Sequence, residues 1–161
     1  MTDLQPFTQR ELRDAFSRFA TGVTVVTTEA ASGPLGITAN SFTSVSLDPP
    51  MVLWLPAKSS RRFTPFTDCK TFAIHVMGAG QETISNGFVS EGDLFDDLDW
   101  TRADDGTPLI QDCLARFHCE THAVHDAGDH AIVVGRVLDA QHRKGDPLIF
   151  AQGRYGGFAS S

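Results

Sequence analysis

The sequence predicts a mainly β protein, either a barrel or a sandwich, with a few flanking helices. Three observations carry this prediction: short β-branched runs recur along the chain, glycine and proline turn signals separate them, and helical apolar spacing is confined to a few segments. With 161 residues, 41% of them hydrophobic, the chain is long enough for one self-sufficient core. No stretch of the sequence has the composition of a linker, so residues 1–161 are interpreted as a single domain.

The N-terminal segment carries the signals of a helix. Thr8 and Glu11 have the spacing of a capping box, in which each side chain bonds the other residue's backbone N–H. Apolar residues then recur at helical spacing, at Leu12, Ala15, Phe16 and Phe19. Gly22 is placed to end the helix, because glycine adopts the left-handed conformation common just past helix C-termini. We therefore expect a helix over residues 8–20.

Strand signals dominate the rest of the chain. The predicted strand segments are 23–28, 35–47, 51–55, 71–77, 115–124, 131–138, 147–150 and 154–158. Helices are predicted in two of the gaps, at 59–67 and 80–88. The segment 91–105 holds seven carboxylates and few apolar residues, so we expect an exposed loop there.

Charge and cysteine content narrow the class of protein. Thirteen Lys and Arg against twenty Asp and Glu give a net charge of -7, which argues against a general binder of nucleic acid or anionic membranes. No apolar run approaches the roughly 20 residues of a membrane helix, and the first residues lack a secretory pattern. The three cysteines form no CxxC pair, which is typical of a reducing compartment. We expect a cytoplasmic protein.

Two patterns resemble ligand motifs but favour structural roles. Gly78-Ala79-Gly80 begins like a dinucleotide fingerprint, yet Thr83 occupies the third glycine position, so a tight strand-to-helix turn is the better interpretation. His118 and His122 suggest a metal site, but the surrounding residues alternate as in a strand. A strand would separate the two side chains by roughly 13 Å, too far to share one ion. We therefore predict no metal site.

Two other patterns are open to a functional interpretation. Residues 58–62 place Ser59 and Ser60 at a predicted helix start among three cations, which suits a phosphate, although a simple helix cap in a solvated basic turn explains the pattern equally well. Gly128-Asp129-His130 lies between two predicted strands and reads as a turn. Its histidine stands at a strand entrance, where it could instead meet a ligand.

Taken together, these pieces resemble the short-chain flavin reductase family, the reductase components of two-component flavin monooxygenases. The motifs occur in the family's order: FATGVTVVTT at 19–28, TANSFTSVSLDPP at 38–50, GDH at 128–130 and GRYGGF at 153–158. The resemblance extends over residues 12–158. Each motif is short, and their combination is what makes the match specific.

The resemblance implies a fold, an activity and partners. The fold would be an FMN-binding split β-barrel, a homodimer with the flavin near the subunit interface. The activity would be reduction of FMN or FAD by NADH or NADPH, with the reduced flavin passing to a flavin-dependent monooxygenase. Hydride passes directly between the two rings, so the protein's task is to hold them together and orient them.

The resemblance also assigns site residues, each by its match to a family motif. Those expected along the flavin ring and ribityl chain are Thr38, Ala39, Asn40, Ser41 and Ser44. Those expected at the flavin phosphate are Ala57, Lys58, Ser59 and Ser60. Asn86, Gly87 and Phe88 are expected on a helix that closes over the flavin. On the nicotinamide side, the expected residues are His130, taken as the catalytic residue, with Tyr155 and Gly156.

Two other functions are compatible with the same sequence. The first is an electron carrier that retains FMN on the same barrel without using nicotinamide. The second is a β-barrel interaction module without a cofactor, in which His130 and residues 58–62 would be ordinary surface features. A carrier would purify with bound flavin and ignore NADH, whereas a reductase would treat free flavin as a substrate.

Overall fold

The computed structural model describes residues 6–161. Its helices are α1 (Gln9–Ser17), α2 (Phe63–Asp68) and α3 (Glu82–Ser90), and a 3-10 turn at Ala79–Gln81 directly precedes α3. The strands are β1 (Thr21–Gly22), β2 (Thr24–Ala30), β3 (Gly33–Ala39), β4 (Thr43–Leu47), β5 (Pro50–Trp54), β6 (Thr71–Val76), β7 (Trp100–Arg102), β8 (Pro108–Ile110), β9 (Ala115–Ala127), β10 (His130–His142), β11 (Ile149–Ala151) and β12 (Arg154–Gly156). The prediction of a mainly β fold with a few helices is confirmed. Of the helices in this range, none has the length and apolar character to cross a bilayer.

Seven antiparallel strands form one sheet, in the order β3-β2-β6-β9-β10-β5-β4. Its edge strands, β3 and β4, are consecutive in the chain and are joined by only residues 40–42. In a flat sheet of seven strands the edges would lie roughly 29 Å apart, because neighbouring strands are about 4.8 Å apart. A link of three residues spans at most roughly 14 Å. The sheet must therefore curl until its edges approach, and within residues 6–161 no ladder crosses the seam between β3 and β4.

The curled sheet is packed on both faces. Successive residues of a strand point to opposite faces, and the adjacent residues Val25 and Val26 of β2 belong to two separate buried clusters. Val26 packs with Val52, Trp54, Phe66, Phe72, Ile74, Cys119 and Val133. Val25 packs with Val23, Met77, Phe88, Phe95, Ile110, Cys113 and Leu148. Burial on both faces explains why the strand signal in this part of the sequence is a continuous β-branched run rather than an alternating one.

A buried histidine ties three strands together. The Nδ1–H of His75, on β6, donates to the backbone oxygen of Val25 at 2.9 Å, and Nε2 accepts the N–H of Ile110 at 3.0 Å. The side chain is fully buried, and this burial lowers the pKa of His75 to about 3. The imidazole is therefore neutral near pH 7, with both nitrogens satisfied in the hydrophobic interior.

The first helix is confirmed at its start and shorter than predicted at its end. The capping box between Thr8 and Glu11 is present, with hydrogen bonds of 3.1 and 2.7 Å. However, α1 ends at Ser17 rather than at residue 20, and Gly22 lies in β1, paired with Ile149. The prediction failed there because pairing with a distant strand, rather than a local glycine cap, determines where the helix stops.

Three further predictions need correction. The segment 35–47 is two strands rather than one, because the chain crosses the seam at residues 40–42. The helix predicted from residue 59 begins only at Phe63, after a turn. The acidic segment 91–105 contains β7 and is not wholly exposed, since Phe95 is buried between Phe88 and Trp100, at ring-centroid distances of 5.2 and 5.0 Å.

The packing of β10 against the core leaves no room for a side chain at Gly135. A Cβ atom there would lie 2.5 Å from Cζ of Phe72 and 3.1 Å from Cβ of Cys119, both of which are fully buried. We expect Gly135→Ala to lower the free energy of unfolding by roughly 1–3 kcal/mol, the usual cost of overpacking a core. Urea denaturation would measure the loss.

Gly80 provides the matched control for this substitution. A Cβ atom at Gly80 would meet no other atom within 4 Å, so Gly80→Ala should leave stability nearly unchanged. Equal stability of the wild type and the Gly135→Ala variant would show that Phe72 can move aside at little cost.

Candidate functional site

The seam between β3 and β4 opens into a large cleft. This seam cleft, of about 770 Å³, lies between α1 with the segment that follows it and the residues that cross the seam. Its lining residues are Arg13, Ala15, Phe16, Ser17, Phe19, Thr21, Asn40, Ser41, Phe42, Thr43, Leu55, Phe150 and Gln152. The cleft therefore lies where the chain crosses from β3 to β4, and Thr43 is its lining residue from an edge strand.

Side-chain hydrogen bonds hold the seam in place. Ser41 Oγ accepts the backbone N–H of Leu55 at 3.0 Å, which fixes residues 40–42 against the end of β5. Thr24 Oγ1 donates to the backbone oxygen of Ala39 at 2.6 Å. Thr21 Oγ1, in the lining of the same cleft, is buried and has no partner within residues 6–161. A buried hydroxyl without a partner costs free energy, which suits a site where a polar ligand completes the bonding.

A smaller cavity continues from the seam cleft toward the C-terminal strands. This Tyr155 cavity, of about 190 Å³, is lined by Val23, Thr38, Ala39, Asn40, Val89, Phe150 and Tyr155. Asn40 and Phe150 line both spaces, so the two are neighbours. The ring of Tyr155 packs edge-on against Phe150, with centroids 5.3 Å apart, and partial burial raises the pKa of Tyr155. Tyr155 is therefore a neutral aromatic wall at neutral pH.

Two turns that are far apart in the sequence meet at the end of the β9–β10 hairpin. The Lys58 N–H donates to the backbone oxygen of Asp129 at 2.9 Å, and Ala57 forms a β-bridge with His130. The Lys58 ammonium also pairs with the carboxylate of Asp126, near the hairpin tip. The segments singled out in the sequence as phosphate and nicotinamide candidates thus lie side by side.

His130 lines a second cleft, beside this pair of turns. The hairpin cleft, of about 630 Å³, is lined by Gln9, Leu12, Arg13, Phe16, Leu55, Ala127, Asp129, His130 and Ile132. His130 Nδ1 contacts Oδ1 of Asp129 at 2.7 Å, and this hydrogen bond lowers the pKa of Asp129. With Nδ1 held by Asp129, Nε2 of His130 is the nitrogen left for a ligand, since it bonds nothing else in residues 6–161.

Arg62, the last cation of the basic run at residues 58–62, has a structural role. The guanidinium of Arg62 donates to three backbone oxygens, those of Gly36, Phe88 and Val89, at 2.7–2.9 Å. Two of these carbonyls belong to the last turn of α3, where helix carbonyls lack partners of their own. Burial lowers the pKa of Arg62. Arg62 is therefore committed to joining α3 to β3 and is not available to a ligand.

Some residues assigned from the family resemblance lie away from the two large clefts. Asn86 is exposed on α3, Gly87 faces Leu94, and Phe88 is buried in the core against Gly36. Ser44 and Gly156 are exposed on β4 and β12 and line none of the three spaces described above. Helix α3 does reach the Tyr155 cavity, through Val89 and through the hydrogen bond from Thr38 Oγ1 to the backbone oxygen of Ser85, at 2.6 Å.

Other lining residues were not found from the sequence. Arg13, Phe16 and Leu55 line both large clefts, and Val89 and Phe150 line the Tyr155 cavity. The only sequence signal was the helical spacing on α1 that places Arg13 and Phe16 one turn apart. Nothing in the sequence indicates that this helix lies over the seam.

One histidine of β9, His118, has a structural contact. His118 lies in the strand, as predicted, and its Nε2 contacts Oδ2 of Asp105 at 2.8 Å. In the part of the chain that the structure describes, no cluster of three or more His, Cys, Asp or Glu side chains has the arrangement of a metal site.

The fold and the clefts define a class of protein. A curled antiparallel sheet carries two adjoining clefts of several hundred Å³ each, with apolar walls and a few polar groups, which is typical of a protein that binds nucleotide-sized molecules. The two clefts share the lining residues Arg13, Phe16 and Leu55, so two ligands bound there would be neighbours.

Comparison with known proteins identifies the family. Residues 16–159 match the flavin reductase like domain. The chain is 55% identical over 150 residues to the FMN reductase (NADH) SmoA of Agrobacterium fabrum, covering 93% of this chain and 86% of that protein. It is 50% identical over 130 residues to the reductase component of the flavin-dependent trigonelline monooxygenase of Acinetobacter baylyi, covering 80% of this chain but only 42% of that protein.

A solved structure agrees with the sequence match. The NADH:FAD oxidoreductase SgcE6 of Streptomyces globisporus C-1027 superposes with a TM-score of 0.91 and 38% identity, covering 100% of this chain and 99% of that one. The chain belongs to the flavin reductase family, and the resemblance seen in the sequence is confirmed.

Proposed function

We propose that this protein is an NADH-dependent flavin reductase that reduces FMN or FAD and supplies the reduced flavin to a partner monooxygenase. The observation that carries the proposal is the pair of adjoining clefts, one at the seam and one beside His130, which suits two ring systems held in contact. Relatives named as NADH-dependent reductases of FMN and of FAD support the same activity. Because NADH is a metabolite of the cytoplasm, the proposal includes a cytoplasmic location.

Two segments of the chain are proposed to bind different parts of the flavin. The seam residues Thr38, Ala39, Asn40 and Ser41 suit the flavin ring, because small side chains let the main chain approach its polar edge. The turn of Ala57, Lys58, Ser59 and Ser60 suits the flavin phosphate through its ammonium, hydroxyl and N–H groups. Bound flavin supplies the hydride acceptor, and the protein supplies position and orientation.

His130 is proposed to orient the nicotinamide. Its Nδ1 is held by Asp129, so the ring is fixed while Nε2 remains available to the hairpin cleft. No proton transfer through the imidazole is needed for a hydride transfer. The role proposed for His130 is therefore positioning through contact with the donor.

His130→Ala is expected to lower kcat/KM for NADH about tenfold, roughly the value of one hydrogen bond. The KM for flavin should change little. His125→Ala is the matched control, because His125 is exposed on β9 and lines neither cleft. An unchanged kcat/KM for NADH in the His130 variant, measured at saturating FMN, would contradict the assignment.

The protein is further proposed to act as a homodimer. Large apolar side chains lie exposed on and after α1 and on the edge strand β4, notably Phe16, Phe19 and Leu47, with exposed fractions of 69%, 79% and 96%. Exposed apolar surface of this kind is typical of an association surface. A partner subunit covering α1 would also enclose the seam cleft.

The function is tested by following NADH oxidation in air with and without added FMN or FAD, and by repeating the assay with NADPH. Strong stimulation by free flavin is expected, with NADH the better donor. Tight flavin binding without oxidation of either nucleotide would instead indicate the electron carrier considered above. Neither binding nor oxidation would leave only the fold in common with the reductases.

A further inference from the structure

Arg13 is the cation that the two clefts have in common. It lies on α1, and its side chain lines both the seam cleft and the hairpin cleft. Among the lining residues of these clefts within residues 6–161, no other side chain carries a permanent positive charge. The charge of Arg13 therefore acts on whatever occupies either cleft, at the place where the clefts adjoin.

Within residues 6–161, no ion pair involves the guanidinium of Arg13. Six other basic side chains do form ion pairs there: Lys58, Arg102, His118, His130, Arg136 and Arg143. The helix positions three and four residues away from Arg13 hold no acidic residue. Glu11, the nearest acid toward the N-terminus, is bound in the capping box with Thr8.

The hairpin cleft contains a carboxylate that would repel an anionic ligand. The carboxylate of Asp129 in its lining is bonded to His130, and Lys58 is not among the lining residues of this cleft. An anionic ligand in this cleft would otherwise face the Asp129 charge without a counter-ion. Guanidinium groups bind the oxygens of phosphate esters with charge-assisted, often bidentate hydrogen bonds.

We propose that Arg13 binds the pyrophosphate of the nicotinamide dinucleotide and so holds the hydride donor across the junction of the two clefts. This inference rests on the proposed function and extends it to a residue on the N-terminal helix. The flavin phosphate, assigned to the turn at Lys58, would not depend on Arg13. Phe16, one turn farther along the same face of α1, lines both clefts with it and offers an apolar surface to the same ligand.

The test is Arg13→Gln, which removes the charge and keeps a good helix former. We expect about a tenfold rise in the KM for NADH, and a similar rise in the Kd for NAD⁺ measured by calorimetry on FMN-loaded protein. Kinetics with 1-benzyl-1,4-dihydronicotinamide, a hydride donor without phosphate, should be unchanged. Arg13→Lys should recover part of the affinity, because it restores the charge without the bidentate geometry.

Arg10→Gln is the matched control. Arg10 lies on the same helix with the same charge but lines neither cleft, so its removal should leave the affinity for NAD⁺ unchanged. If Arg10→Gln and Arg13→Gln weaken NAD⁺ binding equally, the effect comes from the net charge of the helix rather than from a contact of Arg13, and the proposal is overturned. Weaker binding of FMN but not of riboflavin in the Arg13 variant would also overturn it, because that result would move the contact to the flavin phosphate.

The proposed reductase activity and the proposed role of Arg13 can be disproved separately. If the wild type oxidises no NADH with any flavin, the proposed function is wrong, while calorimetry with NAD⁺ still decides whether Arg13 binds a dinucleotide. If the wild type is active and Arg13→Gln alters neither the KM for NADH nor the Kd for NAD⁺, only the inference about Arg13 is overturned.

Discussion

Lys58→Ala is expected to raise the Kd for FMN by ten- to a hundredfold and to leave the Kd for riboflavin unchanged. The difference between the two ligands is the phosphate, and a charge-assisted hydrogen bond to it contributes roughly 1.5–3 kcal/mol. The turn at Lys58 is anchored by main-chain bonds to Asp129 and His130, so it should keep its shape in the variant. Quenching of flavin fluorescence would measure both constants.

The neighbouring cation provides the control for this prediction. Arg61 is exposed three residues later and makes no ion pair in the described chain, so Arg61→Ala removes the same charge from the same turn. It should weaken FMN binding by no more than about twofold, as expected for a solvated charge. Equal weakening of FMN and riboflavin by Lys58→Ala would mean that the turn itself was disturbed and that Lys58 does not bind the phosphate.

The second large effect concerns acid stability and His75. The pKa of this imidazole is about 3 in the folded protein, because it is fully buried, whereas an unfolded chain has a histidine pKa of about 6.5. Below pH 6.5 the unfolded state binds the extra proton and the folded state does not. The contribution of His75 to stability is therefore complete above about pH 6.5 and falls as the pH drops toward 3, with a slope of up to about 1.4 kcal/mol per pH unit.

His75→Gln should flatten this dependence between pH 6 and pH 4. The variant should also be less stable at pH 7, because the flexible Gln side chain does not hold its amide where the two imidazole nitrogens lie, so the bonds to the Val25 carbonyl and the Ile110 N–H are weakened or lost. Urea unfolding at several pH values gives both quantities. His122→Gln, at an exposed position on β9, should keep the wild-type slope, and an unchanged slope in the His75 variant would assign the acid sensitivity to other groups.

Features that depend on neighbouring residues were predictable from the sequence. The capping box at Thr8 and the strand character around His118 were predicted correctly, since both follow from local spacing. The burial of Phe95 was missed, because a count of carboxylates says nothing of the single ring that packs on Phe88. That burial depends on Phe88, which lies outside the segment, as well as on Trp100 within it.

The structure shows where the candidate site residues lie, and some of their contacts could not be predicted from the sequence. Asn40 and Ser41 line the seam cleft, Thr38 and Ala39 line the Tyr155 cavity, and the Lys58 turn lies against Asp129, while the ligand roles assigned to them stay predictions. Arg62 shows the limit, because in the sequence it is one of three similar cations and in the structure it is bound to the carbonyls of α3. Arg62 is unavailable to a ligand because it bonds the end of a helix twenty-six residues away in the sequence.

The three-residue crossing between β3 and β4 has a thermodynamic consequence. A molecule seated in the seam cleft contacts residues 40–42, which link the two edge strands, together with Thr43 at the start of β4. Since an unfolded chain has no seam, every bound molecule shifts the folding equilibrium toward the native state by an amount set by its concentration relative to its Kd. The melting temperature of the protein therefore rises when a ligand binds, and this rise reports binding independently of any chemistry that follows.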